Sequence, residues 1–405
     1  MKAVFINHCH PDMPHICATR VREFAQAMAG RGHEIILLTE TLDGSSSDIT
    51  PSQVVEQIET HDFSGPFNLA CPPSEHRAIE WLRCGALPWG IRQSVIVWYY
   101  AKYQGVVTNW RHGCEPFLDA VVAGFKPDIA WASFGNTDCW NIAKDLAAAA
   151  CCPWVADIKD PWGLFVPRLF RQKLAQHYND AAAMTCFSDM HNNEARQWFG
   201  TSKSTIYSGF KNSVLTTSPR PDSNDLQILL TGAIYDESAL NQLSSGIVQW
   251  INGLDESCRK RVKFLYAGSE GAAVQNATMK LRTVCLVDNL GYLPLDRLQT
   301  LQRQSLVNAY IKSERTFHHK LIELMGAQRP ILTFPKEIQE SKSIAKSVGI
   351  PLYACQTVQD VAGSLESCRR ENSQPIINNG VLETYSWESQ AIHLENVLLK
   401  AINEK

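Results

Sequence analysis

The feature that most restricts the fold lies at the start of the chain. "KAVFIN" (2–7) is a short apolar run with a β-branched centre. It is followed, after a loop, by "TRVREFAQAMAGRGHEIILLTE", in which Val21, Phe24, Ala25 and Met28 recur at helical spacing before Gly30 and Gly32. "EIILLTE" is again apolar without alternation, the pattern of a strand buried on both faces. A strand, a helix and a strand within about forty residues form a βαβ unit, which requires a parallel sheet and an α/β fold.

The alternation continues. "KPDIAWASF" (126–134), "PWVADI" (153–158), "AMTCFS" and "STIYSGF" read as strands, with helices between them. Residues 43–76 are polar and rich in turn formers and read as an irregular insertion. The stretch 211–225, "KNSVLTTSPRPDSND", is polar, contains two prolines and has no period. It marks a linker between a first domain over 1–210 and a second over 226–384. The second set of strands is "LQILLTG", "VKFLYAG", "VCLVDNLGYL", "LVNAYI" and "PILTF", with helices at 238–252, 294–304, 317–327 and 357–371. The tail 385–405 reads as an amphipathic helix packing back on the first domain. Two doubly wound Rossmann-like domains therefore face each other, and the carboxyl ends of their strands, across a cleft, are the expected ligand site.

Composition excludes several classes. A net charge of −3 over 405 residues leaves no nucleic-acid footprint. Thirteen cysteines, an odd number without a C-x-x-C pair, suit a reducing cytoplasm. No basic-then-apolar leader and no run of about 20 apolar residues is present, so neither a signal peptide nor a membrane span is expected, and membrane contact would be peripheral, at the inner face. The segment 89–111 mixes Trp89, Trp98, Tyr99, Tyr100, Tyr103 and Trp110 with Arg92, Lys102 and Arg111. That mix fits a membrane interface or a lipid-linked acceptor; a core helix with snorkelling cations is the favoured reading.

Four stretches carry a family resemblance: "TRVREFAQAMAGRGHEIILLT", "PWVADIKDPWG", "ILLTGAIYD" and, most specific, "FHHKLIELMGAQRPIL". Over nearly its whole length the chain resembles glycosyltransferases of the GT-B fold, in particular those of family 4. The resemblance implies a nucleotide-diphosphate-sugar donor, a glycan or lipid-linked acceptor, transfer with retention, and no metal or other cofactor. A role in surface polysaccharide synthesis follows by the same analogy. It places the donor on Gly232, Tyr292, His319, Lys320 and Glu323, with Glu323 on the ribose hydroxyls. Ser313 or Thr316 would cap the helix, and its first-turn amides and Lys320 would meet the diphosphate. Two positions depart from the pattern. The turn "GAIYDESALNQ" lacks the arginine and lysine that follow the glycine in many members, and Arg315, beside Glu314, stands where many have a sugar-contacting glutamate. Arg315 would supply the missing positive charge.

On the acceptor side, Asp157, Lys159 and Asp160 follow a strand. Lys159 is a candidate for an anionic acceptor or the donor phosphates, and Asp160 for orienting an acceptor hydroxyl. The alternative is a structural turn. The loop "NHCHPDMPHIC" (7–17) follows the first strand and offers His8, His10, Asp12 and His15, with Arg20 at the helix start, for acceptor or phosphate contact. A neutral His10 would also accept a proton. The loop has the side chains of a metal site, but no second ligand pair beyond "FHH" (317–319) appears elsewhere, so no metal is expected. A nucleotide-sugar 2-epimerase of the same fold and a non-catalytic nucleotide- or sugar-binding protein remain as alternatives.

Overall fold

A computed structural model describes residues 1–42, 49–73, 81–82, 85–103, 110–135, 137–212, 225–313, 316–371 and 375–404. The chain forms two compact units, Met1–Tyr207 with Trp387–Lys405, and Ser208–Ser386.

The first unit is built on seven parallel strands in the order β3-β2-β1-β4-β5-β6-β7. They are β1 (Lys2–Asn7), β2 (Glu34–Glu40), β3 (Phe67–Cys71), β4 (Ile129–Ser133), β5 (Trp154–Ile158), β6 (Ala183–Cys186) and β7 (Lys203–Thr205). Every residue of β4 and β5 is buried, as strands covered by helices on both faces must be. Ala3 sits opposite Ile35 on one side and Ile129 on the other, so β1 is central. The strand order reverses between β1 and β4, which makes the carboxyl ends of these two strands the topological switch point.

The helix Trp387–Asn403 completes this unit. Its Trp387, Ala391, Leu394 and Leu398 share a core with Val21, Phe24 and Met28 of the helix Ile16–Gly30 and with Trp131. The Trp387 ring meets Phe24 edge-on at 5.3 Å, and Glu395 binds Arg31 and His33.

The second unit holds six parallel strands in the order β10-β9-β8-β11-β12-β13. They are β8 (Leu226–Thr231), β9 (Val262–Ala267), β10 (Leu286–Asn289), β11 (Val307–Ile311), β12 (Ile331–Phe334) and β13 (Leu352–Ala354). Here the order reverses between β8 and β11.

Three readings of the sequence are corrected. Residues 43–76 are not all irregular: they include the helix Pro51–Thr60 and β3. The helix opens with a capping box, Thr50 and Gln53, and a proline in its first turn, and buries only Val54 and Ile58. So narrow an apolar stripe is easily read as loop. The edge strands β3 and β13 were both unpredicted, being short and only partly covered. The first unit ends at Tyr207, whose N–H donates to Gln390 at 2.8 Å. Residues 213–224 of the proline-bearing stretch lie outside the described residues. Finally, the aromatic segment is not simply core. Trp110 is buried, but the helix Trp89–Tyr103 packs inward at Tyr99 and Tyr100 and leaves Trp89, Ile91, Val97 and Trp98 exposed.

Candidate functional site

In the second unit, the candidate donor residues gather at the switch point. After β8 the chain turns at Gly232, with φ +92°, a conformation that glycine adopts without strain. A Cβ at Gly232 would lie 2.9 Å from Cε of Lys320, so the lysine stem runs over bare backbone. The Tyr266 hydroxyl holds this turn, 3.0 Å from the Gly232 carbonyl and 2.9 Å from Glu270. A Cβ at Gly268, after β9, would lie 2.7 Å from the Gly232 carbonyl, and the Gly268 N–H donates to the Gly291 carbonyl at 3.0 Å. Close backbone approach thus joins the turns after β8, β9 and β10. Tyr292 follows Gly291 there and is 66% exposed.

After β11 the chain leads into the short helix Lys320–Met325. Neither Ser313 nor Thr316 caps it, and it is shorter than the expected 317–327. Just ahead of it the His318 ring is buried, stacked on Tyr310 at 5.1 Å and on His319 at 5.2 Å, and its Nδ1 accepts the Lys320 N–H at 3.3 Å.

Glu323 is ligated from several sides. Lys320 Nζ donates to its two oxygens at 2.9 and 2.6 Å, and Gln302 Nε2 donates at 3.0 Å. His319 Nε2 lies 3.9 Å away. With side-chain exposures of 13% for Lys320 and 18% for Glu323, this is no solvated surface pair. The carboxylate is oriented in advance and keeps lone pairs for further donors. Sequence reasoning missed Gln302 and Tyr266. Gln302 carries no motif, whereas Tyr266 sits in a buried strand, where its hydroxyl needs a partner. Glu314 and Arg315 lie outside the described residues.

Burial pushes the His318 imidazole down to about 3, helped by Lys320 and Lys312, and likewise pushes His191 of the first unit down to about 3. Both are neutral in the native state but take up a proton near 6.5 once unfolded. The unfolded chain therefore binds more protons below that value, and stability falls as pH drops from about 6.5 towards about 3. Thermal melts between pH 7 and 5, above most carboxylate titration, should show a smaller loss for His318→Gln than for the wild type; equal slopes would refute this account.

In the first unit, the loop after β1 meets the loop after β5. His8 Nε2 lies 3.2 Å and His15 Nδ1 3.6 Å from the sulfur of Cys9. The His8 ring also packs on Gly135, where a Cβ would sit 2.0 Å from its Cε1. His15 precedes the helix Ile16–Gly30, and its Nδ1 accepts the Cys17 N–H at 3.2 Å. Next to Cys17 lies Lys159, whose ammonium is 3.2 Å from both oxygens of Asp160. Burial opposes the Lys159 charge, but the Cys17 sulfur and Asp160 outweigh it and hold the group above its ordinary value. Burial raises the Asp160 carboxyl, against the pull of Lys159. The Cys17 thiol is held well below its ordinary value, first by the hydrogen bond from Cys9 and then by Lys159 and His15, against burial. His10 stands apart from this cluster; its Nδ1 accepts the N–H of Asp12 at 3.2 Å, and Asp12 is exposed.

Two candidates are corrected. Asp157 lies within β5 and Arg20 within the first helix, and both side chains are fully buried. Arg20 Nη2 binds Asp157 Oδ1 at 3.1 Å and the Ile206 carbonyl at 3.0 Å. Ser133 and Thr185 donate to Asp157 at 2.9 and 2.7 Å. This pair ties helix to sheet and is out of reach of phosphate or acceptor.

No protein-family model matches the chain, and no curated protein does. Solved structures do match. HepE from Anabaena, in a complex with UDP and glucose, is 13% identical, with a TM-score of 0.63 over 99% of this chain and 100% of that one. Sucrose-phosphate synthase from Thermosynechococcus elongatus is 13% identical, with a TM-score of 0.66 over 100% and 99%. A putative UDP-N-acetylglucosamine 2-epimerase from Listeria monocytogenes is 12% identical, with a TM-score of 0.57 over 100% and 97%. With the two parallel sheets, these likenesses establish a GT-B fold of two Rossmann-like domains.

Proposed function

We propose, from this fold, that the chain is a glycosyltransferase moving a sugar from a nucleotide-diphosphate sugar to a glycan or lipid-linked acceptor. The observation that carries the reading is the grouping of Gly232, Lys320, Glu323 and Gln302 at the switch point of the second sheet. Glu323 takes the ribose hydroxyls, as charged acceptors hold neutral donors well. Lys320 then turns to the diphosphate. Positive charge at that point stabilises the leaving group as the glycosidic bond breaks, which makes a metal in this step unnecessary. The bare backbone at Gly232 lets the donor approach, and Tyr292 flanks the base. His319 lies beside the same carboxylate. Transfer with retention, a role in surface polysaccharide synthesis and a cytoplasmic location belong to the same reading. Thirteen cysteines without a C-x-x-C pair suit that compartment.

On the acceptor side, Lys159 and Asp160 meet the acceptor, and His8, His10, Asp12 and His15 border it. His10 is the base proposed for the acceptor proton. The exposed Trp89, Ile91, Val97 and Trp98, with Arg92 on the same helix, suit contact with a lipid surface at the inner membrane face. No helix of the described residues is long and apolar enough to cross a membrane. Co-sedimentation with anionic vesicles tests this contact. The double variant Trp89→Ala/Trp98→Ala should bind on the order of tenfold more weakly than the wild type; equal binding would remove the membrane from the proposal.

A thermal-shift screen of nucleoside diphosphates and their sugars, wild type against Glu323→Ala, tests the donor site. The reaction is then read by product. Release of nucleoside diphosphate that depends on an acceptor marks a transferase. Conversion of the sugar without acceptor marks the 2-epimerase suggested by the Listeria neighbour, and binding without turnover marks a binding protein.

A further inference from the structure

The loop after β1 brings two thiols and an imidazole to one point. The ligand atoms of Cys9, His15 and Cys17 all lie within 4.8 Å of one another. Four ligands around zinc, at about 2.3 Å for sulfur and 2.0 Å for nitrogen, stand roughly 3.5–3.8 Å apart along the tetrahedron's edges. The Cys9–His15 separation of 3.6 Å is already such an edge. His8 Nε2 lies 3.2 Å from the Cys9 sulfur but does not converge with all three, so water takes the fourth position.

The convergence is built rather than incidental. The side-chain amide of the buried Asn7 donates to the carbonyls of both cysteines, at 3.4 Å for Cys9 and 3.1 Å for Cys17. One side chain thus clamps the two ends of the loop together. Cys9 and Cys17 then form a small cluster of their own with Ala18 and Met13. We propose that Cys9, His15 and Cys17 bind a thiolate-seeking d10 cation, zinc being the reference ion, which locks the loop at the switch point of the first sheet. Two thiolates neutralise a dication, and Lys159 remains paired with Asp160, so no net charge is buried. Nδ1 of His15 would exchange the Cys17 N–H for the metal; one cap hydrogen bond is small beside a set of metal–ligand bonds. The expectation of no metal rested on the want of a second ligand pair elsewhere, whereas here one loop supplies all three ligands. The ion stands outside the transfer step, and this proposal does not depend on the donor reading.

The test is titration of the full reduced chain with Co²⁺, followed by displacement with Zn²⁺. A saturable thiolate-to-metal charge-transfer band at one equivalent is expected. Cys9→Ser and Cys17→Ser should each weaken binding at least about 100-fold, and His15→Ala at least about tenfold. The exposed Cys151→Ser should change nothing. His15 is itself exposed, so its variant remains informative should a buried cysteine variant fail to fold. Absence of the band at stoichiometric metal, an unchanged affinity in His15→Ala, or a Cys9–Cys17 disulfide in the protein as purified without reductant would each overturn the proposal.

Discussion

Replacing Arg20 by methionine is expected to destabilise the first unit by about 3–5 kcal/mol, the range found when one partner of a buried ion pair is removed. The side chain is fully buried, and the substitution strands the Asp157 carboxylate in the sheet with only the Ser133 and Thr185 hydroxyls for partners. It also removes the guanidinium that lies 5.0 Å over Phe24 and 5.4 Å over Phe187. For a unit of this size the melting temperature should fall by on the order of 10 °C. The double variant Arg20→Met/Asp157→Leu supplies the contrast. With no charge left to strand, it should recover most of that loss, because an apolar pair of similar volume often matches a buried ion pair. Differential scanning calorimetry decides it. A single variant that melts within about a degree of the wild type would show that the pair carries little of the stability ascribed to it.

Glu323→Ala is expected to show its largest effect on ligand binding. The side chains of Lys320 and Glu323 are 13% and 18% exposed, so loss of the carboxylate also takes an acceptor from Lys320 and Gln302 and lowers the ligand-free melting temperature. Two hydroxyl donors to a charged acceptor, at about 1.5 kcal/mol or more each, make roughly 3 kcal/mol, or on the order of 100-fold in affinity. At a nucleotide concentration about 100 times the dissociation constant, the wild type gains about 2.7 kcal/mol of stability, while the variant, near half saturation, gains a few tenths. The measured quantity is the difference in melting-temperature shift between the two proteins. Equal shifts with the same nucleotide would mean that the base and phosphates bind without Glu323, and the ribose assignment would fall.

Much of the frame was readable because parallel strands covered on both faces are continuous apolar runs, as in "KAVFIN" and "EIILLTE". Their edges were not, since β3 and β13 have no such double burial. Arg20 illustrates a signal present but passed over. It lies on the same helical stripe as Cys17, Val21 and Phe24, and Asp157 is the lone charge in the otherwise apolar "WVADI". Each is a buried charge in want of a partner, and they are each other's. The meeting of Cys9, His15 and Cys17 depends on the Asn7 clamp, a long-range closure that spacing does not encode. Gln302 reaches Glu323 from a separate helix, and nothing local marks it.

The return of the helix Trp387–Asn403 to the first unit sets an order on biosynthesis. When the ribosome has finished Tyr207, seven strands of that unit exist, but the patch formed by Val21, Phe24, Met28 and Trp131 still lacks its cover. The whole of the second unit must be translated before Trp387 appears. At roughly 5–20 residues per second this interval is on the order of 10–40 s, far longer than the collapse of either unit. For that time the nascent chain carries a bare apolar strip, and its first unit becomes whole only after its second has been made.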